Sequence, residues 1–245
     1  MTINSLKDVV DNGPSFLPQL SIDCVIFGYH ANQLKVLLCQ LLHSDQYALP
    51  GGFIGQEEDI DDAAKRILAE RTGLTQIYLE QFGVFGQPGR TDKQTHQRTL
   101  EACGIPYDPN LWLFKRFVSI GYYALVDYQK VVPTPDVFSG SCTWHDSDTL
   151  PPLLFDHAAM IGKALDTLRL MLDHKLVGFN LLPATFTMAE LQGVYETVLA
   201  QKLQRTNFQR KMLSLGILER VEKKYGGGSH KAPYLYRFDT QMAQS

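Results

Sequence analysis

Two periods of apolar spacing alternate along this chain, and the switches between them mark its elements. QLSIDCVIFGY (19–29) and LKVLLCQLL (34–42) are dense in Val, Ile, Leu and Phe, and short runs of that kind read as strands. HANQ between them predicts a hairpin. YALPGGFI (47–54) is expected to turn through Pro50, Gly51 and Gly52 into a helix. In that helix Ile60, Ala63, Ala64, Ile67 and Leu68 recur at i, i+3, i+4, i+7 and i+8, so one face is apolar. Arg71 falls in its last turn and Gly73 is placed as the C′ glycine.

IYLEQFGVFG (77–86) is a further strand. The next 26 residues, QPGRTDKQTHQRTLEACGIPYDPNLW, are polar and irregular; a stretch that long predicts a functional loop or an insertion. FKRFVSIGYYALVD (114–127) resumes strand character, and SGSCTWHDSDTLPPLLF (139–155) reads as a short strand followed by a turn. Asp156 is placed to cap a helix from His157 to Lys175, with Met160, Ile161, Ala164, Leu165, Leu168 and Leu172 as its stripe and His157 as a structural residue of its first turn. This is the element order of a mixed α/β domain.

Gly178 and Pro183 then break the pattern. Thr187 and Glu190 form a T-x-x-E capping box before one helix. A second, from about Thr206, turns Phe208, Met212 and Leu215 inward and stops at Gly216. ILERVEKK and YLYRFD are two strands around a glycine-rich tip. Helix, turn, helix and hairpin make a winged helix-turn-helix. The expected organisation is therefore a domain over residues 1–178 and a smaller one over 179–245.

Composition sharpens this. The 245 residues are 44% hydrophobic and 20% charged, as in globular proteins at large. No apolar run approaches the roughly 18 residues of a membrane span, and the first residues lack a signal pattern, so the expected compartment is the cytoplasm. Cysteines 24, 39, 103 and 142 include no C-x-x-C pair and are read as buried free thiols. The net charge of −3 hides an asymmetry: residues 1–180 carry 14 Lys+Arg against 21 Asp+Glu, residues 181–245 carry 9 against 5. A basic tail on an acidic body points to an anionic partner such as nucleic acid.

In the tail's second helix, Arg205, Thr206, Asn207, Gln209, Arg210 and Lys211 are left outward or at its start once Phe208 and Met212 face in. Amides pair with adenine, Arg with guanine, and a hydroxyl or Lys with phosphate. Lys223, Lys224, His230 and Lys231 flank the tip, where a wing can touch the DNA backbone or the minor groove.

From Gly52 to Leu74 the spacing resembles the Nudix box, G-x5-E-x7-R-E-U-x-E-E-x-G-U, with U a bulky aliphatic. Gly52, Glu58, Arg66, Leu68, Glu70, Gly73 and Leu74 match; Ile67 and Arg71 stand where the pattern has its first and last helical glutamates. In that family the resemblance implies a divalent cation, usually Mg²⁺, held on those acids against a diphosphate. Hard cations need oxygen ligands, so this degenerate box predicts no catalytic residues, no required metal and at most a weakly held Mg²⁺. Gly51, Gly52, Arg66, Glu70 and Arg71 remain as candidates to hold a diphosphate without cutting it.

FGVFGQPGRTD, RFVSIGYYALV and WHDSDTLPPLLFDHAAMI resemble the ADP-ribose-handling branch of the Nudix group, and nearly the whole chain resembles the Nudix-related regulators of NAD metabolism called NrtR. The resemblance implies a Nudix-like α/β/α sandwich, of α/β (α+β) class, with a C-terminal winged helix-turn-helix. It further implies a homodimeric repressor on a palindromic double-stranded DNA operator, with ADP-ribose as effector. Phe85, Arg90 and Arg116 are added as residues to stack on a base or bind phosphate. The segment Lys93–Lys115 is longer than the family pattern. Two alternatives stay open, an ADP-ribose pyrophosphatase with residual activity and a sugar-responsive regulator of the same family; an adaptor that uses the winged helix for protein contacts is a third.

Overall fold

Two long strands organise the molecule. β1 (Phe16–His30) and β2 (Gln33–Leu41) pair antiparallel, joined at Ala31 and Asn32, both with positive φ (47° and 61°). Two left-handed residues in succession are what a tight hairpin between right-twisted strands requires, and Asn tolerates that geometry better than most. The hairpin expected from HANQ is thus present, with a two-residue loop. The computed structural model describes residues 5–75, 77–90, 93–102, 104–173, 181–223 and 233–239.

Before β1 lies α1 (Leu6–Asp11), capped by Ser5. After β2 come β3 (Tyr47–Ala48), β4 (Gly51–Gly55), α2 (Ile60–Thr72), β5 (Leu79–Phe85), α3 (Lys93–Ala102), β6 (Val118–Asp127), β7 (Ser139–Asp146) and α4 (His157–Met171). Within the described residues β1 to β7 form one sheet: β1 runs parallel to β6 and antiparallel to β2 and β4, β5 edges β6, and β7 edges β2. α2 covers one face through Ala63, Ala64, Ile67 and Leu68, packed with Ile22, Cys24 and Ile54. α4 covers the other through Met160, Ile161, Ala164 and Leu168, packed with Val25, Phe27 and Tyr123. This is the α/β/α sandwich. Its near-continuous apolar strands follow from burial on both faces.

Three local expectations need correction. Gly51 and Gly52 do not turn the chain; they are strand residues opposite Asp23 and Ile22. Their glycine identity answers to crowding, since a Cβ on Gly51 would stand 2.8 Å from Asp23 Oδ1 and one on Gly52 2.9 Å from Ile67 Cδ1. The turn into α2 comes later, where Asp59 caps the helix by accepting from Asp61 N–H. The polar stretch after β5 is not a bare loop: it holds α3 and a 3-10 turn at Trp112–Phe114. Its sparse apolar residues Leu100, Ile105 and Leu113 bury themselves with Val9 of α1 in a third, separate cluster. Asp156 makes no capping hydrogen bond to α4, because its carboxylate is taken by Arg90 at 2.8 Å.

The helix end is as expected. Gly73 closes α2 at φ 74° and donates to Ala69 O, the left-handed cap for which glycine carries least strain. Cys24, Cys39 and Cys142 are buried, Cys39 and Cys142 facing each other across β2 and β7 with Sγ atoms 2.6 Å apart.

The tail follows as β8 (Phe186–Thr187), α5 (Met188–Leu199), α6 (Arg205–Ser214), β9 (Leu218–Lys223) and β10 (Tyr234–Phe238). The capping box is complete: Thr187 accepts from Glu190 N–H, and Glu190 accepts from Thr187 N–H. β8, β10 and β9 make a small antiparallel sheet beside the helices. The core under α4 continues without a break into Leu191, Val194 and Val198 of α5. Tyr195 O–H donates to Leu172 O and Arg169 Nε to Val198 O. The expected boundary at 178/179 lies outside the described residues.

Candidate ligand cleft and nucleic-acid interface

A cleft of about 790 Å³ opens where β4, α2 and the start of α4 converge, well within the range of small-molecule sites. Gly51, Gly52, Arg66, Glu70, Arg71 and Arg90 line it, so six of the eight expected ligand residues meet in one place. Phe85 and Arg116 do not line it. Phe85 packs against Phe82 with Lys163 over its ring, on the α4 side of the sheet; Gly121 of the adjacent strand β6 has no side chain and leaves space for both rings. Arg116 is exposed and donates to Gly86 O.

The arginines differ in how far their donors are used. Arg66 reaches both Glu58 oxygens at 2.7 and 2.9 Å, Glu70 at 3.3 Å and Phe53 O at 2.9 Å. Glu58 also accepts from Gly55 N–H, and these partners, Arg66 foremost, hold its carboxyl below the usual range. The pair ties the end of β4 to α2, a structural duty. Arg90 is almost wholly enclosed, 2.8 Å from Asp156 and 3.6 Å from Asp23. A buried guanidinium needs such partners.

Arg71 is otherwise. Its side chain is 14% exposed, its nearest ion partner is Glu70 at 3.7 Å, and its Nε is buried with no hydrogen-bond partner. At its place one turn after Ile67, it lines the cleft with a guanidinium whose ion pair to Glu70 is longer than a hydrogen bond.

Asp23 forms the polar floor. Its Oδ2 accepts from Ser119, which is 2.7 Å from Ser21, and His157 Nε2 lies 3.8 Å away. His157 is 3% exposed, and its Nδ1 accepts from Leu49 N–H at 3.0 Å; burial pushes its pKa down, Asp23 opposing. The ring is therefore a neutral structural element, as expected of it. Sequence reasoning missed Asp23, although a carboxylate inside an apolar strand run is itself a signal. It also missed the aromatic lining, Phe16, Phe53 and Phe117, which look like core residues when read along the chain.

The donor set does not fit the Mg²⁺ that Nudix chemistry uses. Ile67 is fully buried against Gly52 and offers no oxygen. Arg71 places positive charge where an acid would stand, Glu58 is spent on Arg66, and Glu70 remains between two guanidinium groups. Oxygen-rich coordination cannot be assembled from these groups.

In the tail, Phe208 and Met212 are buried, while Arg205, Thr206, Asn207, Arg210 and Lys211 are exposed and Gln209 is half-buried. Arg210 donates to Asn207 at 3.2 Å, and Lys211 pairs with Asp173 at 2.6 Å. Lys223 lies on the exposed wing strand, its ammonium 5.4 Å from the Tyr234 ring, over which Arg220 also stacks at 4.3 Å. Lys224, His230 and Lys231 lie outside the described residues.

Fold and cleft together define a Nudix domain joined to a winged helix. Residues 17–165 match the NUDIX domain model, and residues 178–238 match the NrtR DNA-binding winged helix domain. The chain belongs to the NrtR family of Nudix-related transcriptional regulators. It is 30% identical over 231 residues to the ADPR responsive transcriptional repressor NtrR of Acinetobacter baylyi, covering 91% of this chain and 83% of that one. Shewanella oneidensis NrtR, solved in complex with a 27mer DNA, superposes with a TM-score of 0.68 at 28% identity, over 92% of this chain and 96% of that one. A MutT/nudix family protein from Enterococcus faecalis shares the fold, with a TM-score of 0.64 at 23% identity over 96% and 94% of the two chains. Among the described residues no helix is long and apolar enough to cross a membrane.

Proposed function

We propose that this protein is a cytoplasmic, homodimeric repressor of genes of NAD metabolism that binds palindromic duplex DNA through α6 and the wing and is controlled by ADP-ribose held, uncut, in the Nudix cleft. One observation carries the reading: the position where a Nudix enzyme keeps a metal-binding acid holds Arg71, which lines the cleft and whose buried Nε has no hydrogen-bond partner in the protein. A guanidinium can neutralise a diphosphate directly, by charge-assisted hydrogen bonds, where a hydrolase would bridge it through a cation. The name of the Acinetobacter relative supports ADP-ribose as that diphosphate. Loss of metal ligands removes the means of activating water, so binding is separated from cleavage.

The DNA-facing part rests on α6. Its exposed Asn207, Arg210 and Lys211 are the side chains that read base edges and phosphates, and Phe208 and Met212 fix the face they present. Effector control requires ligand to favour one of two states with different DNA affinity. The test is a mobility shift with duplexes selected from a random pool, repeated with ADP-ribose. A selected palindrome released by ADP-ribose supports the reading, and unchanged DNA affinity at saturating ligand refutes it. Affinity that ignores salt favours the adaptor, since phosphate contacts fall steeply with ionic strength.

A further inference from the structure

Glycine weakens the interior of a helix relative to alanine, yet α5 carries Gly193 at its middle. The reason lies across space. A Cβ on Gly193 would stand 2.6 Å from Asn32 Oδ1 and 3.6 Å from the Tyr29 hydroxyl, so the bare backbone of α5 admits a neighbour that any side chain would push away. That neighbour is the second residue of the β1–β2 loop. The tip of the sandwich's central hairpin therefore rests directly on the first helix of the winged-helix tail.

Both sides of this contact are held. Tyr29 O–H donates to Asn32 Oδ1 at 3.0 Å, and β1 behind it is paired with β6 from Leu20 to Tyr29. The same strand carries Asp23, which lines the cleft. On the other side α5 is tied to α6. Gln192 Nε2 donates to Leu203 O and Leu203 N–H to Glu196, fixing the turn between the helices. The Tyr195 ring meets Phe208 of α6 at 5.1 Å. A groove of about 780 Å³ opens between the loop and α5 beside the contact. Loop and helix thus meet at a point, where a small displacement is not absorbed by a broad packed face.

We propose that this point is the joint through which the cleft sets the placement of α6, with Asn32 as a positioning residue that acts through α5. The proposal rests on the effector control set out above and deepens it, by naming where the two domains communicate. A stiff strand from the cleft to Asn32 and a tied helix pair from Gly193 to α6 leave this contact as the place where a shift of β1 becomes a shift of the DNA-reading helix. Position between two sites is not itself proof of coupling, so the test measures the coupling.

Operator affinity is read by anisotropy with and without saturating ADP-ribose, for the full chain and for Gly193→Ala, Asn32→Gly and the two combined; the ratio of the two affinities is the coupling. Gly193→Ala wedges the joint apart. Asn32→Gly empties it while tolerating the left-handed loop conformation at φ 61°, and, lying in an exposed loop, it serves if the helix substitution disturbs folding. Effector couplings span about 5- to 150-fold; each single variant lowers the wild-type ratio by about fivefold, while calorimetric ADP-ribose affinity without DNA stays within about twofold. In the combined variant the new methyl occupies the space the amide left, 3.6 Å from the Tyr29 hydroxyl, and the ratio returns to within about twofold of wild type. A merely structural defect adds instead of cancelling. Unchanged ratios in both single variants, or losses that add in the combined one, overturn the joint and leave the proposed function standing. A wild-type chain that binds operator and ADP-ribose with a ratio of one overturns both.

Discussion

Arg71→Glu restores the acid of the Nudix pattern and reverses the charge that the cleft presents to a diphosphate. Arg71 has an unpartnered Nε, and its ion pair with Glu70, at 3.7 Å, is longer than a hydrogen bond; little intramolecular bonding is lost when it is replaced. A hydrogen bond from a charged donor to a charged ligand contributes about 1.5–3 kcal/mol, so loss of a single one weakens ADP-ribose binding by about 10- to 150-fold. Repulsion between the introduced carboxylate and the phosphates makes that a lower bound in metal-free buffer. Glu70 and the introduced carboxylate together supply oxygen ligands, so added Mg²⁺ recovers part of the lost affinity in the variant and changes little in the wild type. Calorimetric titration with and without Mg²⁺ reads both effects. Unchanged metal-free affinity, or a wild-type protein that binds only with Mg²⁺, refutes the replacement of metal by guanidinium.

Arg90→Ala leaves Asp156 and Asp23 without their enclosed partner; breaking such a pair costs about 3–5 kcal/mol, seen as a fall of roughly 6–20 °C in Tm, and a fall under about 3 °C contradicts its structural role. Burial holds His157 neutral with its pKa below the ordinary value near 6.5. The unfolded chain therefore binds a proton first, stability is complete above about pH 6.5 and declines as pH falls toward the folded pKa. Thermal midpoints from pH 7.5 to 5.5 should fall in the wild type and flatten in His157→Asn, whose amide oxygen can accept from Leu49 N–H; equal slopes refute the assignment. In the tail, Arg210→Ala reduces the slope of log affinity against log salt by about one if it contacts a phosphate, whereas a base contact shows as about 1–3 kcal/mol of lost discrimination at one position. Neither change in DNA-binding titrations means that α6 does not meet DNA.

How much was legible in the sequence follows from the range of the interactions involved. Strands β1, β2, β5 and β6, helices α2 and α4 and the winged helix were readable because burial writes a period into the chain. Gly73 and the Thr187–Glu190 box were readable because caps are local chemistry. Gly51 and Gly52 were misread because their reason lies across space, in Asp23 and Ile67; along the chain a Pro-Gly-Gly triplet looks only like a turn. α3 escaped since its buried residues serve a small cluster rather than a sheet face. Asp156 showed the same limit: it sits where a cap belongs, but Arg90, 66 residues earlier, takes its carboxylate. The residues of one motif came together in the cleft as spacing implied, while Phe53, Phe117 and Asp23 joined it only through the pairing of β4 and β6 with β1.

A cleft that holds a diphosphate without cutting it, coupled to a DNA-reading helix, is tested most directly by one time course. Protein is bound to a fluorescent operator duplex, ADP-ribose and Mg²⁺ are added, and anisotropy is followed for hours. The account predicts prompt release of the DNA and a signal that then stays low, because the effector is not consumed. Anisotropy that recovers as ADP-ribose is hydrolysed, or that never falls, contradicts it.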